Sequence, residues 1–221
     1  MKGLFITFEG PDGAGKTTQV NQLAKYIQEQ GFDYLATREP GGTEISNKIR
    51  QILLNPDHQE LRDQTEILLY ASSRAQLVHE VILPALNEGK IVLCDRYIDA
   101  SIAYQAYGLG INRKIVEEIN RFASSSLKPD RTYLMDIQPE VGRKRLINRD
   151  KTEFGNQLDR IEQKQLEYHE RVYKGFMDIA FEEPERVVKV AANDSVEEIF
   201  KKIREDFDLF IQSIKIKSGI K

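Results

Sequence analysis

The 221-residue sequence is poor in the side chains that build redox and metal centres. It holds a single cysteine, Cys94, which excludes an internal disulfide and a cysteine-based zinc site. Its three histidines, His58, His79 and His169, lie far apart and form no metal-ligand spacing. No apolar run approaches the roughly 20 residues that a membrane-spanning helix needs. The apolar stretch near the N-terminus is too short for a secretory signal and leads straight into a motif. An excess of either charge is missing too. Lys and Arg number 32 against 35 Asp and Glu, a net charge of −3, so bulk electrostatics do not mark a nucleic-acid binder. These absences point to a cytoplasmic protein without nucleic-acid or membrane partners. Any anion site must come from local arrangement.

Hydrophobic residues make up 40% of the chain, enough to bury one sizeable core, so 1–221 reads as a single domain with room for a mobile insert. The apolar run at 4–8 reads as a buried strand and that at 90–95 as another strand, with further strands at 34–38, 131–136 and 187–191. Helical periodicity separates them. It covers about 16–30, a segment carrying Ile45, Ile49, Ile52 and Leu53, and a long pattern over 63–86 bent near Pro84. It resumes at 99–107, 112–125, 139–149, 157–180 and 195–214. Strands alternating with helices imply an α/β fold with a parallel sheet and right-handed crossovers. The polar stretch 148–157 reads equally as a mobile segment or an ordinary solvated loop.

The most specific local signal is Gly10-Pro11-Asp12-Gly13-Ala14-Gly15-Lys16-Thr17, a Gly-four-Gly-Lys-Thr phosphate loop followed by Thr18. It stands between a strand and an amphipathic helix, the context the motif requires. Its glycines let backbone N–H groups converge on phosphate oxygens, and the helix N-terminus adds a positive dipole end. In such a loop Lys16 reaches the β- and γ-phosphates of a nucleoside triphosphate and the Thr17 hydroxyl ligates Mg²⁺. The guanine-binding Asn-Lys-x-Asp signature is missing, which argues against a GTPase. Asp95-Arg96 closes the third strand. That pair reads either as a surface ion pair or as a metal-holding carboxylate beside a cation for phosphate groups. A phosphate loop in the same chain favours the second.

Three segments together resemble bacterial thymidylate kinases. They are Phe8-Glu9-Gly10 through Thr17-Thr18-Gln19, then Arg38-Glu39-Pro40-Gly41-Gly42-Thr43, then Asp95-Arg96-Tyr97 with Ser101 and Ala103-Tyr104-Gln105. The resemblance covers essentially the whole chain. It implies a three-layer P-loop fold with a five-stranded parallel sheet, a mobile lid at about 148–158, a homodimer, and phosphoryl transfer from ATP to dTMP with Mg²⁺. It makes Asp12 a contact of the acceptor sugar, and Arg38, Arg50 and Arg96 phosphate-side residues. Tyr70, Arg74, Ser101 and Gln105 then fall on the base, Tyr104 at the sugar 2′ position, and Asp95 with Thr17 at the metal. Arg143 is expected on adenine, and Asn193 in the turn lining the adenine pocket. The loop itself lacks an arginine, so the catalytic arginine is expected in the lid. Arg149 is the first choice, with Lys151, Arg145 and Arg143 as alternatives.

The residues bear on part of this independently. Ile67, Ala71, Arg74 and Val78 share one helical stripe, and an arginine on an apolar stripe needs a partner or a route to water. A thymine carbonyl is one such partner; snorkelling to solvent beside a core Tyr70 is the other reading. A deoxynucleoside kinase and a non-catalytic nucleotide-sensing ATPase are the rival functions, since both carry phosphate loops. Lys16→Ala is expected to abolish transfer and leave the fold intact. Near-parental turnover in a folded Lys16→Ala variant counts against the role given to the loop.

Overall fold

The computed structural model describes residues 3–148 and 157–217. Five strands, β1 (Leu4–Glu9), β2 (Tyr34–Arg38), β3 (Ile91–Asp95), β4 (Arg131–Asp136) and β5 (Val187–Ala191), form one sheet. Their order is β2-β3-β1-β4-β5 and every pairing is parallel. β1 is therefore central, which is why all six of its residues are buried. Side chains alternate across the pleat. Leu4, Ile6 and Phe8 pack with Ile91 and Leu93 beneath α1 (Lys16–Glu29) and α9 (Val196–Lys217). Phe5 points the other way and joins Val92, Cys94 and Tyr97. Cys94 is a free thiol in that core.

The opposite layer contains α2 (Glu44–Leu54), α3 (Asp63–Leu77), α4 (Leu83–Asn87), α5 (Ile98–Ser101), α6 (Arg113–Ala123), α7 (Pro139–Ile147) and α8 (Leu166–Glu182). α2 starts on Thr43, whose hydroxyl accepts from Ser46 N at 3.1 Å. α9 starts on a reciprocal capping box, in which Ser195 Oγ accepts from Glu198 N and Glu198 Oε2 accepts from Ser195 N.

Three helical segments differ from their sequence pattern. The expected helix over 63–86 is three pieces, because a wide π-helical stretch, Val78–Ile82, separates α3 from α4. Pro84 falls in the first turn of α4, directly after the π-helical stretch. A second π-helical stretch, Ile102–Gly108, follows α5 without a break and carries Tyr104 and Gln105. The helix expected over 157–180 begins only at Leu166. Residues 158–164 form turns in which Arg160, Ile161 and Glu162 are buried. Arg160 pins this segment to the end of α2 by donating to Leu53 O at 2.8 Å, and to α3 through Glu66 at 2.7 Å.

Polar groups inside the sheet layer are tied to one another. Arg186 grips Asp99 with two nitrogens at 2.7 and 3.0 Å and also donates to Thr132, whose hydroxyl meets that of Thr7 at 2.7 Å. Breaking such a pair strands a buried charge. Arg186→Ala is expected to cost about 3–5 kcal/mol of unfolding free energy. Urea unfolding measures this, and a loss below about 1 kcal/mol, the range of surface pairs, would show that Asp99 is not held by Arg186.

Candidate active site

The C-terminal ends of β1, β2 and β3 open into one cavity of about 710 Å³. The chain runs to β2 and β3 on one side of β1 and to β4 and β5 on the other, so the cavity lies where open α/β sheets bind ligands. Its wall contains Asp12, Gly13, Gly15, Lys16, Thr17, Thr18, Arg38, Arg50, Tyr70, Arg74, Asp95, Arg96, Ser101, Tyr104 and Gln105. Residues named from several separate stretches of sequence thus share one space. Gly10, Pro11 and Ala14 are buried and form the floor of the phosphate loop, outside the cavity wall.

The loop takes its shape from left-handed glycines. Gly13 has φ +76°, and a Cβ there would also collide with the carbonyl of Gly142 on α7. Gly142 has the reciprocal constraint, because its own Cβ would run into the carbonyl of Asp12. The two backbones therefore touch only because both positions lack a side chain. Lys16 Nζ lies at the mouth of the loop, donating to Gly10 O at 3.0 Å and Pro11 O at 2.7 Å. Burial, reinforced by the like charge of Arg96, lowers its pKa to about 8.

Thr17 Oγ1 donates to Asp95 Oδ2 at 2.5 Å. These two oxygens are the donors a small hard cation takes from protein, with waters and phosphates completing its shell. Among the described residues no group of three His, Cys, Asp or Glu side chains could hold a metal.

Arg96 stands at φ +72° and its guanidinium turns back across the end of β1. It donates to Gly10 O at 2.9 Å, pairs with Asp12 Oδ1, and lies 5.0 Å from the Tyr104 ring centroid. Tyr104 completes the group by donating its hydroxyl to Asp12 Oδ2 at 2.6 Å. Burial would raise the Asp12 pKa, but Arg96, Lys16 and the Tyr104 hydroxyl outweigh it and hold the carboxyl at about 2. Across the cavity Asp159 behaves oppositely. Burial, Glu162 and Asp12 lift it to about 7, although Ile161 N and Glu162 N both donate to it at 2.8 Å.

Arg74 is 2% exposed and all five of its N–H groups find acceptors in the chain. Nε and Nη2 donate to Glu39 at 2.8 and 2.5 Å, Nη1 to Ser101 and Asn120 at 2.9 and 2.5 Å, and Nη2 also to Tyr97 O at 3.0 Å. The arginine on the apolar stripe therefore has protein partners, where the sequence suggested a ligand carbonyl or solvent. Gln105 donates to Glu66 at 3.1 Å, which Arg160 neutralises from behind. Arg50 donates to Pro40 O at 3.1 Å. Arg38 is exposed and Tyr70 half-buried on the same wall.

On the loop's far side Arg145 lines the cavity and Arg143 does not. Arg145 donates to Ala192 O at 3.0 Å, approaches Gly13 O at 3.5 Å and lines the cavity. Arg143 is outside the lining, and its charge acts on His169 of α8. Asn193 is exposed and likewise outside the lining, next to the Ala192 carbonyl that Arg145 takes. Arg149 and Lys151, with most of the expected lid, lie outside the described residues. Glu39, Asp159 and Glu162 also line the cavity, with no role there expected from sequence. Asp159-x-x-Glu162 does carry a capping-box spacing, and Asp159 N donates to Glu162 Oε2 at 3.0 Å. Nothing in local sequence marked Asn120.

A family model described as thymidylate kinase matches residues 8–203. The chain is 53% identical over 206 residues to the thymidylate kinase of Exiguobacterium sibiricum, covering 93% of this chain and 94% of that one. It is 43% identical to the thymidylate kinase of Clostridium novyi, covering 92% and 97% respectively. The crystal structure of thymidylate kinase from Ehrlichia chaffeensis superposes with a TM-score of 0.75 at 31% identity, covering 94% of this chain and 99% of that one.

The Asp12 shift has a consequence for stability. Its pKa falls from 3.8 to about 2 on folding. The contribution is therefore complete above about pH 4 and lost as the pH drops towards 2, an effect of about 2 kcal/mol. Asp12→Asn removes it. Urea unfolding of parent and variant is expected to converge by that amount over the same interval. Parallel stability curves would show that Asp12 is not held ionised.

Proposed function

We propose that this chain, which belongs to the thymidylate kinase family, transfers the γ-phosphoryl group of ATP to dTMP, giving dTDP and ADP for dTTP synthesis. The observation that carries the reading is the shared cavity. A phosphate loop lies at one end, a polar and aromatic pocket at the other, and Arg38, Arg50 and Arg96 are on its wall. A hydrolase needs a positioned water, whereas a transferase between two phosphates needs cations around both.

In this reading an oxygen of the dTMP phosphate attacks the γ-phosphorus in line, and the bridging oxygen leaves with ADP. The acceptor is already an anion, so no general base is assigned. Positioning and charge neutralisation supply the catalysis. Gly10 to Thr18 hold the donor phosphates, with Lys16 on the transferring group. Mg²⁺ fits Thr17 and Asp95, and when bound it neutralises charge on the donor phosphates. Arg96 stands at the meeting point of the two phosphates, with Arg38 and Arg50 on the acceptor side. Asp12 takes the acceptor sugar, and Tyr104 crowds its 2′ position.

Tyr70, Arg74, Ser101 and Gln105 surround the base. Arg74 arrives there already fixed by Glu39, Asn120 and the Tyr97 carbonyl, so a base carbonyl shares a preset donor. Arg145, held between Gly13 and Ala192, takes the adenine side in place of Arg143, next to the Asn193 turn. Arg149 remains the proposed lid arginine that meets the transferring group.

The chain is proposed to act as one domain and as a cytoplasmic homodimer. Leu68 on α3 and Ile115 and Phe122 on α6 are 55%, 51% and 88% exposed, an apolar face suited to a second copy. Among the described residues no helix is long and apolar enough to cross a membrane.

ADP release measured with dTMP, dUMP, thymidine and no acceptor tests the reaction. Release is expected to depend on dTMP and on Mg²⁺. Equal release without acceptor would leave an ATPase, and preference for thymidine a nucleoside kinase. Alanine variants at 145 and 149 divide the two arginines. Arg149→Ala is expected to lower kcat with little change in KM, within the 10³–10⁵-fold, roughly, that arginine fingers supply. Arg145→Ala is expected to raise the KM for ATP. Parental kcat in Arg149→Ala would remove the lid assignment.

A further inference from the structure

We propose that Glu9, which touches neither substrate in the reading above, is a positioning residue that sets Arg96 for phosphoryl transfer by holding the backbone at Tyr97. Glu9 ends β1 on the side of the sheet that Phe5 and Thr7 face, and it is 1% exposed. Its Oε1 accepts from Tyr97 N at 2.7 Å. One residue earlier, Phe8 O accepts from Arg96 N at 2.9 Å. Two successive groups of β1 thus grip two successive N–H groups immediately after β3.

The residue between these grips is strained. Arg96 has φ +72°, a left-handed conformation that is costly for a side-chain-bearing residue and persists only where its surroundings enforce it. That conformation turns the guanidinium back over β1, onto Gly10 O, Asp12 and the Tyr104 ring. Without the Glu9 oxygen, Tyr97 N would be buried and unpaired, and the turn would lose one of its two hydrogen bonds to β1. Relaxation of φ would carry the Arg96 side chain away from the loop.

Stability does not explain a carboxyl at this place. Glu9 Oε2 is buried without a hydrogen-bond partner. Burial and the neighbouring Asp99 push the carboxyl up to about 8 against the opposing pull of Arg96 and of the Tyr97 and Ala100 N–H groups, so ionising it in the fold is unfavourable. A residue that is costly to bury and makes its bond beside the strained arginine fits a role in placing that arginine.

The test is a double-mutant cycle, and it rests on the dTMP-dependent reaction proposed above. Glu9→Ala is expected to lower kcat by about 10²-fold, the order of an ångström-scale misplacement. Glu9→Gln keeps an acceptor oxygen and is expected to restore about tenfold of that loss, whereas Glu9→Met, similar in size but without the acceptor, restores none. In an Arg96→Ala background Glu9→Ala is expected to add no further loss. Where Glu9→Ala fails to fold, Glu9→Met takes its place in the cycle.

Hydrogen exchange at the Tyr97 amide supplies a readout that needs no activity. It is expected to be slow in the parent and in Glu9→Gln, and fast in Glu9→Met. Additive losses in the cycle, a Gln variant as slow as the Met variant, or a protected Tyr97 amide in Glu9→Met would each overturn the inference. If the parent itself released no ADP with dTMP, the kinase reading would fail, and exchange at Tyr97 would still decide whether Glu9 holds the turn.

Discussion

The contact between Arg96 and Asp12 joins the end of β3 to the phosphate loop after β1, and the rest of the site is arranged around it. Each partner is placed by backbone, not by its own rotamer alone. Arg96 sits at a left-handed residue, and Asp12 precedes a glycine whose backbone touches Gly142. Tyr104 holds the other carboxylate oxygen, so three elements converge on one acidic group. That convergence keeps Asp12 ionised in a half-buried place and leaves a fixed cation on the cavity wall. A preset charge of this kind needs no reorganisation during reaction, which is where electrostatic catalysis gains most.

Around this centre the protein buries further ion pairs: Arg74 with Glu39, Arg160 with Glu66, and Arg186 with Asp99. Desolvation offsets much of the attraction in such pairs, so they explain stability poorly. Their placement is more informative. Arg74 and Glu39 tie α3 to the loop after β2, and Arg160 and Glu66 tie the turn at 158–164 to α3 and steady Gln105. Each pair fixes one part of the cavity wall against another. Hydrophobic contact alone, being non-directional, would not set those angles.

The wall also separates its carboxyls electrically. Asp12 lies among cations and stays near 2, while Asp159, among carboxyls, rises to about 7. The same side chain type thus has two charge behaviours in one cavity, set by neighbours and burial.

Sequence alone determined the sheet and one end of the site. The strands at 34–38, 131–136 and 187–191 coincide with β2, β4 and β5, because short strand segments set between helical periods and turns were legible locally, even though β2 and β5 lie at the sheet edges and are less buried. The phosphate loop was legible because its glycines, lysine and threonine act through positions fixed by the local chain. Tertiary structure decided what lies beyond local reach. The π-helical stretches at 78–82 and 102–108 leave the apolar pattern almost unchanged, so periodicity read them as ordinary helix. The segment at 158–164 looked helical, yet it is a turn, because buried Arg160 bonds across 107 residues to Leu53 and across 94 to Glu66. Arg74 showed that it needed a partner, but Glu39, 35 residues earlier, and Asn120, 46 residues later, become neighbours only when α3, α6 and the loop after β2 pack together. Charge and periodicity are properties of the chain; which charges meet depends on the packing of distant segments, which no local pattern encodes.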